Sequence, residues 1–227
     1  MKTWQKLVGL AAIAAILIGV VGPYVYINFI KEEAPEALDV APPVAAGSVD
    51  PSVELEGTWV VADGSQVGYR VKEILFGQSS EAVGRTSDVT GSFTITGAQV
   101  TEGRFEADLT TMKSNEERRD RQFQGRIMNT ASYPTARLTL TQPLDLSSID
   151  PQQTEGSTTA TGDLTVHGMT RSVTFDLKGV RSGSTIQISG SMPIVFADYG
   201  IDNPSGGPAQ TEDNGVLEFA INFEKEA

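Results

Sequence analysis

The chain has 227 residues, 29 acidic and 17 basic side chains, a single histidine and no cysteine. That length suits one domain with appendages, and the missing cysteine removes disulfides, thiol catalysis and thiolate metal sites. A net charge of −12 opposes nucleic-acid binding, whose phosphate contacts need a basic surface, and one histidine argues against a histidine-rich metal centre.

The first element is apolar. Residues 7–30 pass without a charged side chain over 24 positions. As a helix they reach about 36 Å at 1.5 Å per residue, enough to cross a hydrocarbon core roughly 30 Å thick. A cleaved signal has an apolar region of only about 7–15 residues. The best cleavage candidate, Val20-Val21-Gly22, is followed by Pro23, and the apolar run continues beyond it. Residues 1–30 are therefore predicted to be an uncleaved transmembrane signal-anchor, with Tyr24 and Tyr26 toward its outer interface. Lys2 and Lys6 precede the run, and Glu32 and Glu33 follow it, so the remainder is expected outside the cytoplasm.

Residues 31–56 contain four prolines and seven acids. Little apolar bulk is available to repay ordering, so this stretch reads as an extended, self-repelling linker, a docked strand near Val53–Leu55 being the alternative.

From Gly57 the hydrophobic period becomes two. Tyr69 and Val71 alternate with Arg70 and Lys72, Phe105 and Ala107 with Glu106 and Asp108, and Val173, Phe175 and Leu177 with Thr174 and Asp176. Further runs centre on Trp59, Phe93, Leu138/Leu140, Leu164, Ile186/Ile188, Ile194/Phe196 and Leu217–Phe223. Nine or ten one-sided strands separated by turn residues predict an antiparallel all-β barrel or two-sheet sandwich over residues 57–227.

One segment, residues 114–123, is helical in composition. Ser114 and Glu117 have capping-box spacing, and Gly125 followed by 129–134 should end the helix. Asp120, Phe123 and Ile127 share a face bordered by Arg119, and Arg118 is expected off it. Such a helix either plugs a barrel mouth or simply crosses between strands.

Catalytic signatures are sparse: the sequence has no nucleophile elbow, zincin motif, Walker loop or Rossmann glycine pattern. His167, in Val166-His167-Gly168, reads as an exposed turn residue. No catalytic residue, metal site or cofactor is assigned.

Five blocks in order carry a family resemblance: Trp59 with Tyr69-Arg70-Val71; Val89-Thr90-Gly91-Ser92-Phe93; Arg119-Asp120 with Tyr133-Pro134-Thr135-Ala136-Arg137-Leu138; Gly162–Thr170; and Asp198-Tyr199-Gly200-Ile201. Together they resemble the YceI-like family of exported bacterial proteins. Leu138 stands where the family usually has an aromatic, the first hairpin is more charged than usual, and the anchor replaces the commoner cleaved signal. The resemblance implies a lipocalin-like antiparallel barrel of about eight strands with one short helix, holding a polyisoprenoid or similar long amphiphile, an isoprenoid quinone included. Together with the predicted anchor, it implies a bacterial, single-pass, membrane-tethered, non-enzymatic binding module.

On that reading the apolar lining is Tyr69, Val71, Phe93, Phe105, Leu109, Phe123, Leu138, Leu140, Phe175, Phe196 and Phe219, and the polar candidates are Arg119, Asp120 and His167. Each aromatic also suits ordinary core packing. An enzyme acting on a lipid-like substrate and a partner-binding domain with a filled core are the competing functions. The oligomeric state stays open, a homodimer included.

Overall fold

The computed structural model describes residues 4–5, 21–25, 33–39, 54–147, 155–182, 184–207 and 209–226. Among these lie thirteen strands: β1 (Gly57–Val61), β2 (Gln66–Leu75), β3 (Gln78–Thr86), β4 (Val89–Thr96), β5 (Gln99–Asp108), β6 (Lys113–Ser114), β7 (Thr135–Leu140), β8 (Leu144–Asp145), β9 (Glu155–Val166), β10 (Met169–Ser182), β11 (Thr185–Val195), β12 (Ala209–Thr211) and β13 (Asn214–Lys225). Eight of them close an antiparallel barrel in the order β1-β4-β5-β7-β9-β10-β11-β13, with β13 returning to β1. Closure leaves this ring without an unpaired edge.

β13 serves two neighbours along one edge. Its residues 223–225 pair with β1, and residues 216–220 pair with β2. The lower half of the barrel is thus closed by β1 and β4, while β2, β3 and β6 flare away as the wall of the upper half. The opening this creates is occupied by helix α1 (Glu117–Gln122), which runs on through a π-helical stretch, Phe123–Ile127.

The closed end is packed around Trp59, which is fully buried, and Phe223, whose ring lies edge-on to Phe93 with centroids 4.7 Å apart. Trp59 can be sealed from water because its Nε1–H donates to the Leu55 carbonyl at 2.9 Å. Leu55 itself packs against the core. The folded unit therefore begins a few residues before Gly57.

Two strands lack the expected alternation. β3 reads Gln-Ser-Ser-Glu-Ala-Val-Gly-Arg-Thr, and the first half of β9 reads Glu-Gly-Ser-Thr-Thr-Ala. In β3 a neighbouring strand requires a small partner. A Cβ on Gly84 would lie 2.4 Å from the Tyr69 ring, so β3 must be bare where Tyr69 crosses it. Phe196, expected on a strand, instead opens a 3₁₀ turn (Phe196–Tyr199), because β11 stops at Val195.

Two hairpin turns are built alike. Phe76-Gly77 joins β2 to β3 with φ of 52° and 80°, and His167-Gly168 joins β9 to β10 with φ of 50° and 76°. Two successive positive φ values are the type I′ pattern that suits the twist of paired strands.

The helix starts differently from the capping-box expectation. Its N-cap is Glu116, which makes no side-chain cap. Ser114 is instead held by Asp120, whose carboxylate accepts from the Ser114 amide at 2.8 Å and its hydroxyl at 2.6 Å. Gly125 does not end the helical segment; it lies inside the π-helical stretch.

The linker expectation also needs correction where it is described. Residues 33–39 lie on the outer barrel wall rather than standing off it. Arg70 donates to the Pro35 carbonyl at 2.7 Å, Arg85 donates to the Glu36 carbonyl, and Ser189 donates to Asp39 at 2.9 Å. Beneath them Glu218 is 2 % exposed and sits 3.4 Å from Arg70 and 3.0 Å from Arg85. One of the acids expected to repel its neighbours meets a barrel cation instead, Asp39 reaching Lys178 at 3.0 Å.

Most of the predicted transmembrane run, residues 7–30, lies outside the described residues. Of it, Gly22–Val25 form a four-residue helix. Among the described residues no helix is long and apolar enough to cross a membrane.

Candidate functional site

β2 contributes Tyr69, Val71, Glu73 and Leu75 to one face by simple alternation, and this face looks into the flared upper half. Opposite it stand Phe123 and Ile127 of the helical segment. Between them lies a cavity of about 770 Å³, also lined by Leu109, Met112, Met128, Ile194, Phe196, Ile201 and Leu217. Its size falls within the range of small-molecule sites, roughly 300–1,000 Å³. Deeper in the barrel a second space of about 110 Å³ is lined by Phe93, Phe105, Leu138, Leu140, Phe175 and Phe219. Val67, Ala136 and Leu217 border both.

The eleven expected apolar residues therefore divide by height. Tyr69, Val71, Leu109, Phe123 and Phe196 line the large cavity, and the other six line the small one. Phe123 is buried and stacks on Tyr69, the ring centroids 5.1 Å apart and the planes 9° from parallel. This stack joins the helix to the flared wall.

The polar candidates do not stay together. Arg119 lines the cavity, where its guanidinium lies 3.6 Å from Glu73 and donates to Asn115 at 2.9 Å. Asp120 is buried but faces Ser114 and borders neither cavity, so of the two adjacent candidates only Arg119 reaches the large cavity. Successive residues on a helix point about 100° apart, and each found a different partner. His167 also borders neither cavity. Its ring, expected to be exposed, is half-buried: Nδ1 lies 3.2 Å from the Tyr199 carbonyl, and Tyr133 packs edge-on at 4.6 Å. Arg118, expected away from the cavity, is exposed yet lines its mouth.

Glu73 is the residue that sequence reasoning missed. It is 9 % exposed and points inward. The signal was present, because Glu73 is in phase with Tyr69 and Val71. A carboxylate in phase with an apolar face implies a partner within, and Arg119 supplies it. Burial pushes the Tyr69 hydroxyl above its ordinary value, Arg119 opposing and Asp120 and Glu73 reinforcing the shift, so Tyr69 remains a neutral hydrogen-bonding group. The cavity thus offers a long apolar interior with a charged pair and a phenol on one side. Among the described residues no group of three or more His, Cys, Asp or Glu side chains is arranged to hold a metal ion.

The YceI-like domain model matches residues 59–223. A UPF0312 protein from Shewanella denitrificans is 29 % identical over 131 residues, which covers 54 % of this chain and 65 % of that protein, so just under two thirds of the curated relative is spanned. Among solved structures, a polyisoprenoid binding domain from Saccharophagus degradans, implicated in plant cell wall breakdown, superposes with a TM-score of 0.60 at 15 % identity. That match covers 75 % of this chain and 99 % of the domain. Burkholderia cenocepacia BcnA superposes with a TM-score of 0.55 at 16 % identity, covering 70 % of this chain and 95 % of BcnA. At these identities the structural matches establish the barrel fold.

Proposed function

Because the chain belongs to the YceI-like domain family, we propose that it is an exported, membrane-tethered module that holds one polyisoprenoid or similarly long amphiphile inside the barrel. The observation that carries this reading is the apolar cavity of about 770 Å³ between β2 and the helical segment, with Glu73 and Arg119 as a polar pair on its wall. Burial of each methylene-sized unit contributes about 0.8 kcal/mol before ordering costs. A long tail needs few polar contacts to be held, and Arg119, Tyr69 and Glu73 suit a polar head group. The polyisoprenoid binding domain of Saccharophagus degradans, which shares the fold, supports the ligand class.

Binding is favoured over catalysis because His167, the one histidine, is committed to Tyr199 and Tyr133 away from both cavities. Tethering and export rest on the uncharged run at 7–30 preceded by Lys2 and Lys6.

The test is extraction of the full-length protein from membranes in mild detergent, followed by lipid mass spectrometry. An isoprenoid lipid or quinone near one per chain is expected, and its retention should fall in Arg119→Ala. A wild-type protein purified from isoprenoid-containing membranes without any such lipid refutes the ligand assignment. Fractionation and protease accessibility on spheroplasts test the topology: a soluble protein refutes the tether, and protection of residues 31–227 refutes the orientation.

A further inference from the structure

The rim of the large cavity is chemically unlike the rest of the molecule. At the β2–β3 turn Ile74 and Phe76 are 47 % and 48 % exposed, while Leu75 between them lines the cavity. Phe76 also holds φ of 52°, a region where asparagine or glycine is preferred and a bulky side chain is an outlier. An aromatic is therefore displayed in water at a position that local backbone energetics would give to another residue. Beside the turn, the helical segment exposes Arg118, Arg121 and Arg126. Glu117 offsets Arg121 at 3.5 Å, Glu116 lines the cavity beside Arg118, and Arg126 donates to the Pro204 carbonyl at 2.8 Å, so the arginines are concentrated on this rim of a chain of net charge −12.

The opposite pole is acidic. Glu54, Glu56, Asp145, Glu224 and Glu226 are all exposed around the closed end, where Gly57 pairs with Ile95. Glu212, on the mouth side, is set back from the turn: its amide donates to the Lys72 carbonyl, below the level of Leu75, which pairs with Ala209. Gly22 and Pro23, which belong to the uncharged run at 7–30, line the same cavity. Two residues of the most apolar stretch of the chain thus border the cavity.

We propose that this rim docks on an anionic phospholipid bilayer. Ile74 and Phe76 enter the headgroup–acyl boundary, and Arg118, Arg121 and Arg126 meet lipid phosphates, so that the cavity opens directly onto the membrane. Apolar and aromatic side chains beside arginines are the pairing that interfacial elements use, entering roughly 5–10 Å. The acidic pole is repelled by the same surface. The inference deepens the lipid-binding reading and rests on it for its purpose, but it makes a separate physical claim.

The test uses the full-length protein reconstituted into vesicles containing brominated phosphatidylcholine, with and without phosphatidylglycerol. A tryptophan is introduced by Phe76→Trp, by Ile74→Trp as a second tip position, and by Ala98→Trp in the β4–β5 turn at the opposite pole. Trp4 and Trp59 contribute a background common to all three. With phosphatidylglycerol present, bromine quenching at the tip should be at least about twofold that at the pole, as expected for a side chain at the boundary. It should fall when phosphatidylglycerol is omitted and when Arg118, Arg121 and Arg126 are all changed to glutamine. Equal quenching at tip and pole, or tip quenching indifferent to lipid charge, overturns the proposal. If lipid co-purifies but the tip is unquenched, docking is wrong and the ligand reading stands. If the tip is quenched but no lipid co-purifies, the reverse holds.

Discussion

Replacing Glu218 with glutamine tests whether the outer wall is held by a buried charge network. The side chain is 2 % exposed, while those of its partners Arg70 and Arg85 are 15 % and 22 % exposed. Breaking a fully buried ion pair from one side costs about 3–5 kcal/mol, and an exposed pair is worth about 0–1. The arginines keep some water, so Glu218→Gln should cost about 2–3 kcal/mol, between those limits. Glutamine preserves the volume, and its carbonyl oxygen can accept from one arginine. Its amide then faces the other, donor against donor. Urea unfolding of the full-length protein in mild detergent reads this loss. With a slope of about 1–3 kcal/mol per molar urea, the midpoint should drop by roughly 1 M. Residues 33–39 should also exchange amide hydrogens faster, because the arginines that grip the Pro35 and Glu36 carbonyls lose their anchor. A loss below about 1 kcal/mol with unchanged exchange would show that the network is solvated and the segment is held by something else.

Three further substitutions probe the cavity wall. Phe123→Ala removes the buried ring stacked on Tyr69 and should cost about 3 kcal/mol in the same unfolding assay; loss of bound lipid should accompany it, and near-wild-type stability would contradict the stacking role. Gly84→Ala drives a methyl to 2.4 Å from the Tyr69 ring, so a loss of roughly 1–3 kcal/mol is expected, and a neutral outcome would show that the ring can move aside. Burial raises the Tyr69 pKa above its unfolded value near 10. Its contribution is fully present below pH about 10 and is lost as pH rises from there toward the folded value. Stability of Tyr69→Phe should fall less steeply above pH 10 than that of the wild type, and identical alkaline slopes would refute the shift.

Alternation of large and polar side chains was enough to define the all-β class and the inward face of most strands, because side-chain direction in a strand depends only on parity, whereas the lining as a set was implied by the family resemblance and Phe123 by helical spacing. The order of short blocks was enough for the family. Tertiary structure decided what parity cannot express. β3 is a strand because Gly84 must pass under Tyr69, a requirement set by a residue on the neighbouring strand. Division of the lining into large and small spaces follows from β13 exchanging β1 for β2 partway along, and pairing register is a long-range property. Arg119 and Asp120 are adjacent polar candidates on one helix, yet they find Glu73 and Ser114, brought near by the β2–β3 wall and by β6. The linker acids looked mutually repelling because the barrel cations that receive residues 33–39 lie at least 30 residues away in sequence. Local sequence determines which way a side chain points; its partner is determined by whichever distant strand the closed barrel sets opposite it.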